Sequence, residues 1–318
     1  MAKFRDSTNE ASVLDATTAV GAPVEAWAGT ADIGTEADAS QPERSIGDIL
    51  AQLRNLTAEQ VEKVLQYQRA RGVRFGEAAV ALGLASKDDV LYALSQQFNY
   101  PYAPEESRKL NAELVALNEP FSPRAEGFRA LRSQLMMRLF TEEQPGHALA
   151  VISPGVGDGK TYCAANLAVT LAQLGGRTLL VDADMRSPRM HEVFNLKNQA
   201  GLSGILSGRA DKQVIQQVPG MPSLFVLPVG TTPPNPLELV ERPAFGLLMR
   251  ELVIKFDHVV VDTPGAVHGS DAAVIAARCG AALVVARKDA SRTDDLRELV
   301  ASLAGAPVKM AGVVFNEF

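Results

Sequence analysis

The chain has only two cysteines in 318 residues, Cys163 and Cys279. That excludes a disulfide framework and suits a reducing compartment, with both thiols read as small buried side chains. Aromatic residues are scarce, at 6%, and Trp27 is the single tryptophan. No apolar run approaches the ~18 residues that a membrane-spanning helix needs. The N-terminus, MAKFRDSTNEASVLDATTAV, lacks the continuous apolar core of a signal peptide. A cytoplasmic protein with no direct membrane insertion is therefore expected, and any membrane role must come through a partner. An excess of positive charge is also missing. The formal net charge is -6, so no global basic field recruits nucleic acid or anionic lipid. What remains is an ordinary composition, 47% apolar and 21% charged, and a length that suits about two domains.

Residues 1–43 are rich in Ala, Thr, Ser, Asp and Glu, and cannot bury enough surface to offset the entropy of ordering. They are expected to form a disordered arm, in which Trp27 is a possible docking anchor. An internal repeat follows within residues 44–103. SIGDILAQLRNLTAEQVEKVLQYQ (Ser45–Gln68) aligns with RFGEAAVALGLASKDDVLYALSQQ (Arg74–Gln97). Ile46/Phe75, Gly47/Gly76, Leu53/Leu82, Val61/Val90 and Leu65/Leu94 fall in register. Each copy reads as a short apolar helix, a turn, an N-cap at Thr57 or Ser86, and a second amphipathic helix. Neither copy can bury its apolar face alone, so the two should pack as a small all-α tandem-repeat domain. The pair resembles the N-terminal domain of type II secretion and pilus ATPases. Some members of that family bind cyclic di-GMP through tandem R-L-G-x-x-L…G motifs. The resemblance implies cyclic di-GMP at Arg74, Gly76 and Gly83, or else a purely structural or docking module. The first copy departs from the pattern, with Ser45 in place of the Arg and Arg54 in place of the second Gly.

Residues 104–124 are rich in proline and charge and read as a linker. From Ala125 the character changes. EGFRALRSQLMMRLF reads as a helix, with Phe128, Leu131, Leu135 and Leu139 on one face. Strand-like runs then alternate with helical stretches: ALAVIS, TLLVD, LFVLPVG, HVVVD, ALVVA and VKMAGVVF. The alternation predicts an α/β fold over 125–318, a mostly parallel P-loop sheet with helices on both faces.

ALAVIS runs into SPGVGDGKTYCAANLA (Ser153–Ala168), which matches G-x-x-x-x-G-K-S/T except that Pro154 stands at the first glycine. Strand, glycine loop and helix are the context that a phosphate loop needs. Gly155, Gly157 and Gly159 let backbone N–H groups turn onto phosphate oxygens, and the helix N-terminus adds partial positive charge. Lys160 would reach the β- and γ-phosphates, and the Thr161 hydroxyl would ligate Mg²⁺. Two further strand ends carry acids: Asp182 and Asp184 in TLLVDADMR, and Asp262 in HVVVDTPG. Three carboxylates beside a triphosphate call for a divalent cation to offset their repulsion.

Five stretches together resemble the bacterial tyrosine kinases of exopolysaccharide export, a branch of the P-loop ATPases that include Min-type and partitioning proteins. They are GVGDGKT, LLVDADMR, VVVDTP, the Glu126-x-x-Arg129-x-x-Arg132 helix, and GTTPPNPLELV (Gly230–Val240). With the repeat domain in front, the layout is most similar to EpsG-type kinases of chain-length-determinant systems. The resemblance implies ATP and Mg²⁺ as ligands, held by Gly155, Gly157, Asp158, Gly159, Lys160, Thr161 and Tyr162. It implies that Asp182 is the metal-linked catalytic carboxylate, supported by Asp184, while Asp262 holds Mg²⁺ through water and Asn316 contacts adenine. It implies a homo-oligomer whose subunit interface uses Glu126, Arg129 and Arg132. Its implied partner is the cytoplasmic segment of a polysaccharide co-polymerase, which would place the chain peripheral to the inner membrane. Min-type and partitioning ATPases carry a second lysine early in the loop, and Gly155 stands there instead. A GTPase reading finds D-x-x-G at Asp262–Gly265 but no guanine-reading N/T-K-x-D. A nucleotide-binding signalling adaptor that senses cyclic di-GMP is the remaining alternative. Such kinases autophosphorylate a C-terminal tyrosine cluster. Here the last tyrosine is Tyr162 and the sequence closes on VVFNEF. The expected target is therefore Tyr100, Tyr102 or another protein, unless the domain acts mainly as an ATPase.

Overall fold

A computed structural model of the chain describes residues 45–97, 111–140, 146–209 and 214–317. The expected arm with Trp27, and Tyr100 and Tyr102, lie outside the described residues.

The repeat forms four helices, α1 (Ile46–Arg54), α2 (Ala58–Arg71), α3 (Phe75–Ala81) and α4 (Lys87–Gln97). Reciprocal caps start α1, α2 and α4. At α1 the Ser45 hydroxyl accepts from the Asp48 N–H, and the Asp48 carboxylate accepts from the Ser45 N–H. Thr57 with Gln60 repeats this at α2, and Ser86 with Asp89 at α4. Each such box satisfies two backbone donors that have no partner within the helix. Leu50, Val64, Ala78, Ala79 and Ala93 form the core between the helices. Gly76 permits close packing there, because a Cβ at that position would stand 2.5 Å from Val90 Cγ1. Gly83 takes φ +68, which a left-handed turn requires. The two glycines that match the cyclic di-GMP pattern thus have packing and turn roles. Arg54, where that pattern expects glycine, bonds Asp89 at 2.7 Å and ties the first repeat to the second. Gly76→Ala should destabilise the module by about 1–3 kcal/mol, the usual cost of overpacking. Urea unfolding followed by circular dichroism reads this directly, and wild-type stability would refute the packing role.

The remaining described elements alternate as the sequence implies. They are α5 (Val115–Asn118), α6 (Pro123–Arg138), β1 (Ala148–Ile152), α7 (Lys160–Ala172), β2 (Thr178–Asp182), α8 (Met190–Val193) and α9 (Leu202–Leu206). Then come β3 (Gln216–Val218), β4 (Met221–Leu227), α10 (Pro236–Glu241), α11 (Pro243–Lys255) and β5 (His258–Asp262). The chain continues through α12 (Asp271–Cys279), β6 (Gly280–Arg287), α13 (Thr293–Ser302) and β7 (Lys309–Asn316). One sheet has the order β3-β4-β2-β5-β1-β6-β7. All pairs are parallel except β3 with β4, an antiparallel edge that no apolar run announces.

Both faces of the sheet are covered. Ala148, Ala150 and Ile152 of β1 pack into one core, and Leu149 and Val151 into the other. Val259 and Val261 of β5 face the first core, and Val260 the second. Such strands read as unbroken apolar runs, which is why they are legible without alternation. Both cysteines are buried, which pushes the Cys163 thiol up to about 12 and raises that of Cys279 as well.

Residues 111–124 correct the linker reading. Leu114 and Leu117 are buried in the second core. The Ala116 N–H donates to Asn166 Oδ1 at 2.9 Å, and Asn166 Nδ2 donates to the Glu113 carbonyl at 2.9 Å. This stretch is docked on α7. Among the described residues, no helix is long and apolar enough to cross a membrane.

Candidate functional site

The sheet order makes β2, β5 and β1 neighbours. Their carboxyl ends therefore bring the loop after β1 and the acids after β2 and β5 into one crevice, the usual ligand site of an open parallel sheet. Lys160 Nζ lies back over the loop and donates to Ser153 Oγ and the Gly155 carbonyl, both at 3.1 Å. The Thr161 hydroxyl donates to Asp262 Oδ2 at 2.6 Å. Asp182 and Asp262 are register partners across β2 and β5, and both are almost fully buried.

Two facing carboxylates in a buried crevice cannot both ionise cheaply. Burial pushes the Asp262 carboxyl up to about 7, against the lowering effect of the Thr161 hydroxyl and Lys160. Burial, and then the charge of Asp262, raises Asp182 well above the ordinary carboxylate range. Asp184 adds to the repulsion on both. Its own Oδ1 accepts from the N–H groups of Arg186 and Ser187, at 3.1 and 2.9 Å, and so turns the chain after β2.

These residues fit Mg²⁺. Asp262 Oδ1 is buried without a hydrogen-bond partner, so an acceptor is left over beside a hydroxyl. Among the described residues, no group of three or more His, Cys, Asp or Glu forms a complete metal cage. Magnesium at phosphates typically takes only one or two carboxylates, with water and phosphate oxygens for the rest.

The loop is braced from within. Asp158 Oδ2 accepts from the Gly155 N–H at 2.7 Å, and Asp158 Oδ1 accepts from the Ser291 hydroxyl at 2.9 Å. This differs from the expectation that the Gly155 N–H and Asp158 face phosphate directly, because each already has a partner in the loop's own framework. Gly157 and Gly159 do take left-handed backbone, with φ +80 and +97. A Cβ on Gly159 would overlap Asn316 Nδ2, which donates to the Asp158 carbonyl at 3.0 Å. Asn316, at the end of β7, thus stands at the Gly159 end of the loop. Beside it, a cleft of about 380 Å³ is lined by Tyr162, Phe128, Asn316 and Glu317. The Tyr162 ring meets Phe128 edge-on at 5.6 Å, and burial pushes its phenol up to about 12.

On α6, Arg129 pairs with Glu126 at 2.8 Å. Arg132 Nη1 donates to the Thr170 carbonyl at 2.8 Å, so it ties α6 to α7 within one chain. The sequence reading missed Ser153, Ser291 and the ion pair between Arg186 and Asp271. In that pair Arg186 Nε and Nη2 lie 3.2 and 2.9 Å from the two carboxylate oxygens of Asp271. It joins the turn after β2 to the start of α12. No local spacing signals a contact 85 positions apart.

The loop, the hydroxyl and the paired strand-end acids define a P-loop nucleotide-binding protein of the α/β class. A family profile agrees: CbiA, the CobQ/CobB/MinD/ParA nucleotide binding domain, matches residues 149–318. The chain belongs to this family, in the branch of the bacterial tyrosine-protein kinases. EpsB of Ralstonia solanacearum is 36% identical over 211 residues, which are 66% of this chain and 28% of EpsB. CapB of Staphylococcus aureus is 32% identical over 204 residues, 64% of this chain and 89% of CapB. Both carry tyrosine-protein kinase names. The kinase domain of Escherichia coli tyrosine kinase ETK superposes with a TM-score of 0.61 at 32% identity, covering 66% of this chain and 81% of that one. The chain spans about 28% of the length of EpsB, so what the whole of EpsB does is a separate matter.

Proposed function

We propose that this chain is an ATP-dependent protein tyrosine kinase that regulates exopolysaccharide chain length together with a membrane co-polymerase. The observation that carries this reading is the Thr161–Asp262 hydrogen bond beside Lys160, with Asp182 paired across the strands. In it Thr161, Asp262 and Asp182 would hold Mg²⁺. The ion would supply positive charge against the phosphate oxygens. Lys160 binds and orients the terminal phosphates. Asp182, whose carboxyl is raised by burial and then by the charge of Asp262, is placed to take a proton from an incoming hydroxyl. The Asp158 brace holds the loop's curvature. Adenine is assigned to the Gly159 end, in the cleft beside Asn316 and Tyr162. The relatives named as tyrosine kinases support the choice of acceptor.

Glu126, Arg129 and Arg132 are proposed to meet a second copy of the chain in a homo-oligomer. The co-polymerase's cytoplasmic segment would hold that assembly at the inner membrane. Full-length protein should bind Mg-ATP alone, but should form phosphotyrosine several-fold faster with that segment present. Mass spectrometry after incubation with Mg-ATP, with and without the segment, checks this. Absence of phosphotyrosine in both samples would leave an ATPase and refute the kinase.

A further inference from the structure

We propose that the cleft at the Gly155 end of the phosphate loop is an acceptor-docking site, which selects a tyrosine with a basic neighbour on a polypeptide of different sequence from this chain. This rests on the kinase reading above. The cleft measures about 550 Å³, with Pro154, Gly155, Ala266 and Val267 on one side and Asp295 and Glu298 of α13 on the other. Its position follows from the direction of the nucleotide. Asn316 marks the Gly159 end, whereas Lys160 reaches back to the Gly155 carbonyl. A lysine at this place in a P-loop meets the β- and γ-phosphates, so the transferred phosphoryl group belongs at the Gly155 end, beside the cleft.

The walls of this cleft are fixed. The Ala266 N–H donates to the Ser153 carbonyl at 3.0 Å, and the Val267 N–H to the Pro154 carbonyl at 2.9 Å. Yet Val267 is 69% exposed, and Val156, on the loop itself, is 64% exposed. Apolar side chains at the mouth of a polar site suit a phenol ring, whose body is apolar and whose hydroxyl must face the phosphate. The opposite wall carries negative charge. Asp295 and Glu298 are exposed, and Arg297, the arginine of α13, pairs with Asp294 instead. Two carboxylates on one wall of this cleft complement a Lys or Arg near the tyrosine and disfavour an acidic neighbour. They also repel the phosphotyrosine dianion, which favours product release. In the transfer, the phenol oxygen bonds to the γ-phosphorus while the bond from that phosphorus to the β,γ-bridging oxygen breaks. The bond's electron pair leaves with ADP, and the phenolic proton passes to a carboxylate of the site.

The test uses the full chain with Mg-ATP and two synthetic peptides, identical except for Lys or Glu on both sides of a single Tyr. Transfer to the Lys peptide should be favoured about tenfold in kcat/KM, mostly through KM, as expected for two exposed ion pairs. Asp295→Lys combined with Glu298→Lys should abolish or reverse the preference. Val267→Ser should raise KM for both peptides. Equal use of the two peptides by the wild type overturns the proposal and leaves the kinase reading standing. Phosphate appearing on the chain's own tyrosines in preference to the Lys peptide overturns the choice of an acceptor other than this chain or a copy of it. ATP binding with no transfer to any tyrosine overturns the kinase reading itself, and the docking site with it.

Discussion

Lys160→Ala should lower Mg-ATP affinity at least about 100-fold, roughly 3 kcal/mol, as measured by calorimetry or fluorescent-nucleotide displacement. The estimate follows from where the ammonium lies. Lys160 is 6% exposed and is held by Ser153 Oγ and the Gly155 carbonyl. A charge in that position is already desolvated, so its attraction for phosphate is little diluted by water. After truncation the Ser153 hydroxyl still donates to the Gly155 carbonyl at 2.8 Å, but the incoming phosphates lose the ammonium and meet loop amides. The fold should survive, because α7 also packs through its apolar side chains, Leu167, Val169 and Leu171. Wild-type affinity in the variant would refute the assignment of the loop.

Asp262→Asn should reduce phosphoryl transfer about 10³-fold and abolish its Mg²⁺ dependence, since a group aimed at developing charge typically contributes on this scale. The same variant has an opposite effect on stability, which separates site loss from misfolding. The folded-state value of Asp262 is raised from 3.8 to about 7. The folded chain therefore holds that proton more tightly than the unfolded chain does. In chelator, wild-type stability from this group is fully present below about pH 4 and is lost as pH climbs towards 7. The amide can still accept from Thr161 without a charge. The metal-free variant should then melt at or above the wild-type temperature at pH 8, and the difference should shrink at pH 5. A melting temperature well below wild type at pH 8 would show that Asp262 is needed for folding rather than for ligand.

The legible part of this chain is the part with local signals. The strands β1, β2, β5 and β6 are covered on both faces, so each appears as a short apolar run followed by a turn or an acid. The glycine loop identifies itself because strand, loop and helix are contiguous. Asp182 and Asp262 are found because both close a strand. The repeat emerges because Thr57 and Ser86 start equivalent helices. What stays hidden depends on distant partners. Asp158 looks like a ligand residue until its carboxylate is seen to hold Gly155 and Ser291. Arg132 looks like a surface charge until it meets the Thr170 carbonyl. Residues 111–118 read as a connector, because the run NAELVALN is too short to show a period and its anchor, Asn166, lies some 50 positions further on. The β3 edge is three residues long and carries too few side chains to show a period.

The strap through Asp158 also bears on how the ligand arrives. A cradle clamped at Gly155 and again at Ser291 is already cast in shape before anything enters it. Capture then spends little freedom on moulding the pocket. Cutting the strap with Asp158→Ala should slow the entry of nucleotide more than it hastens departure, because each encounter would have to wait for a slack ring to find its curvature again.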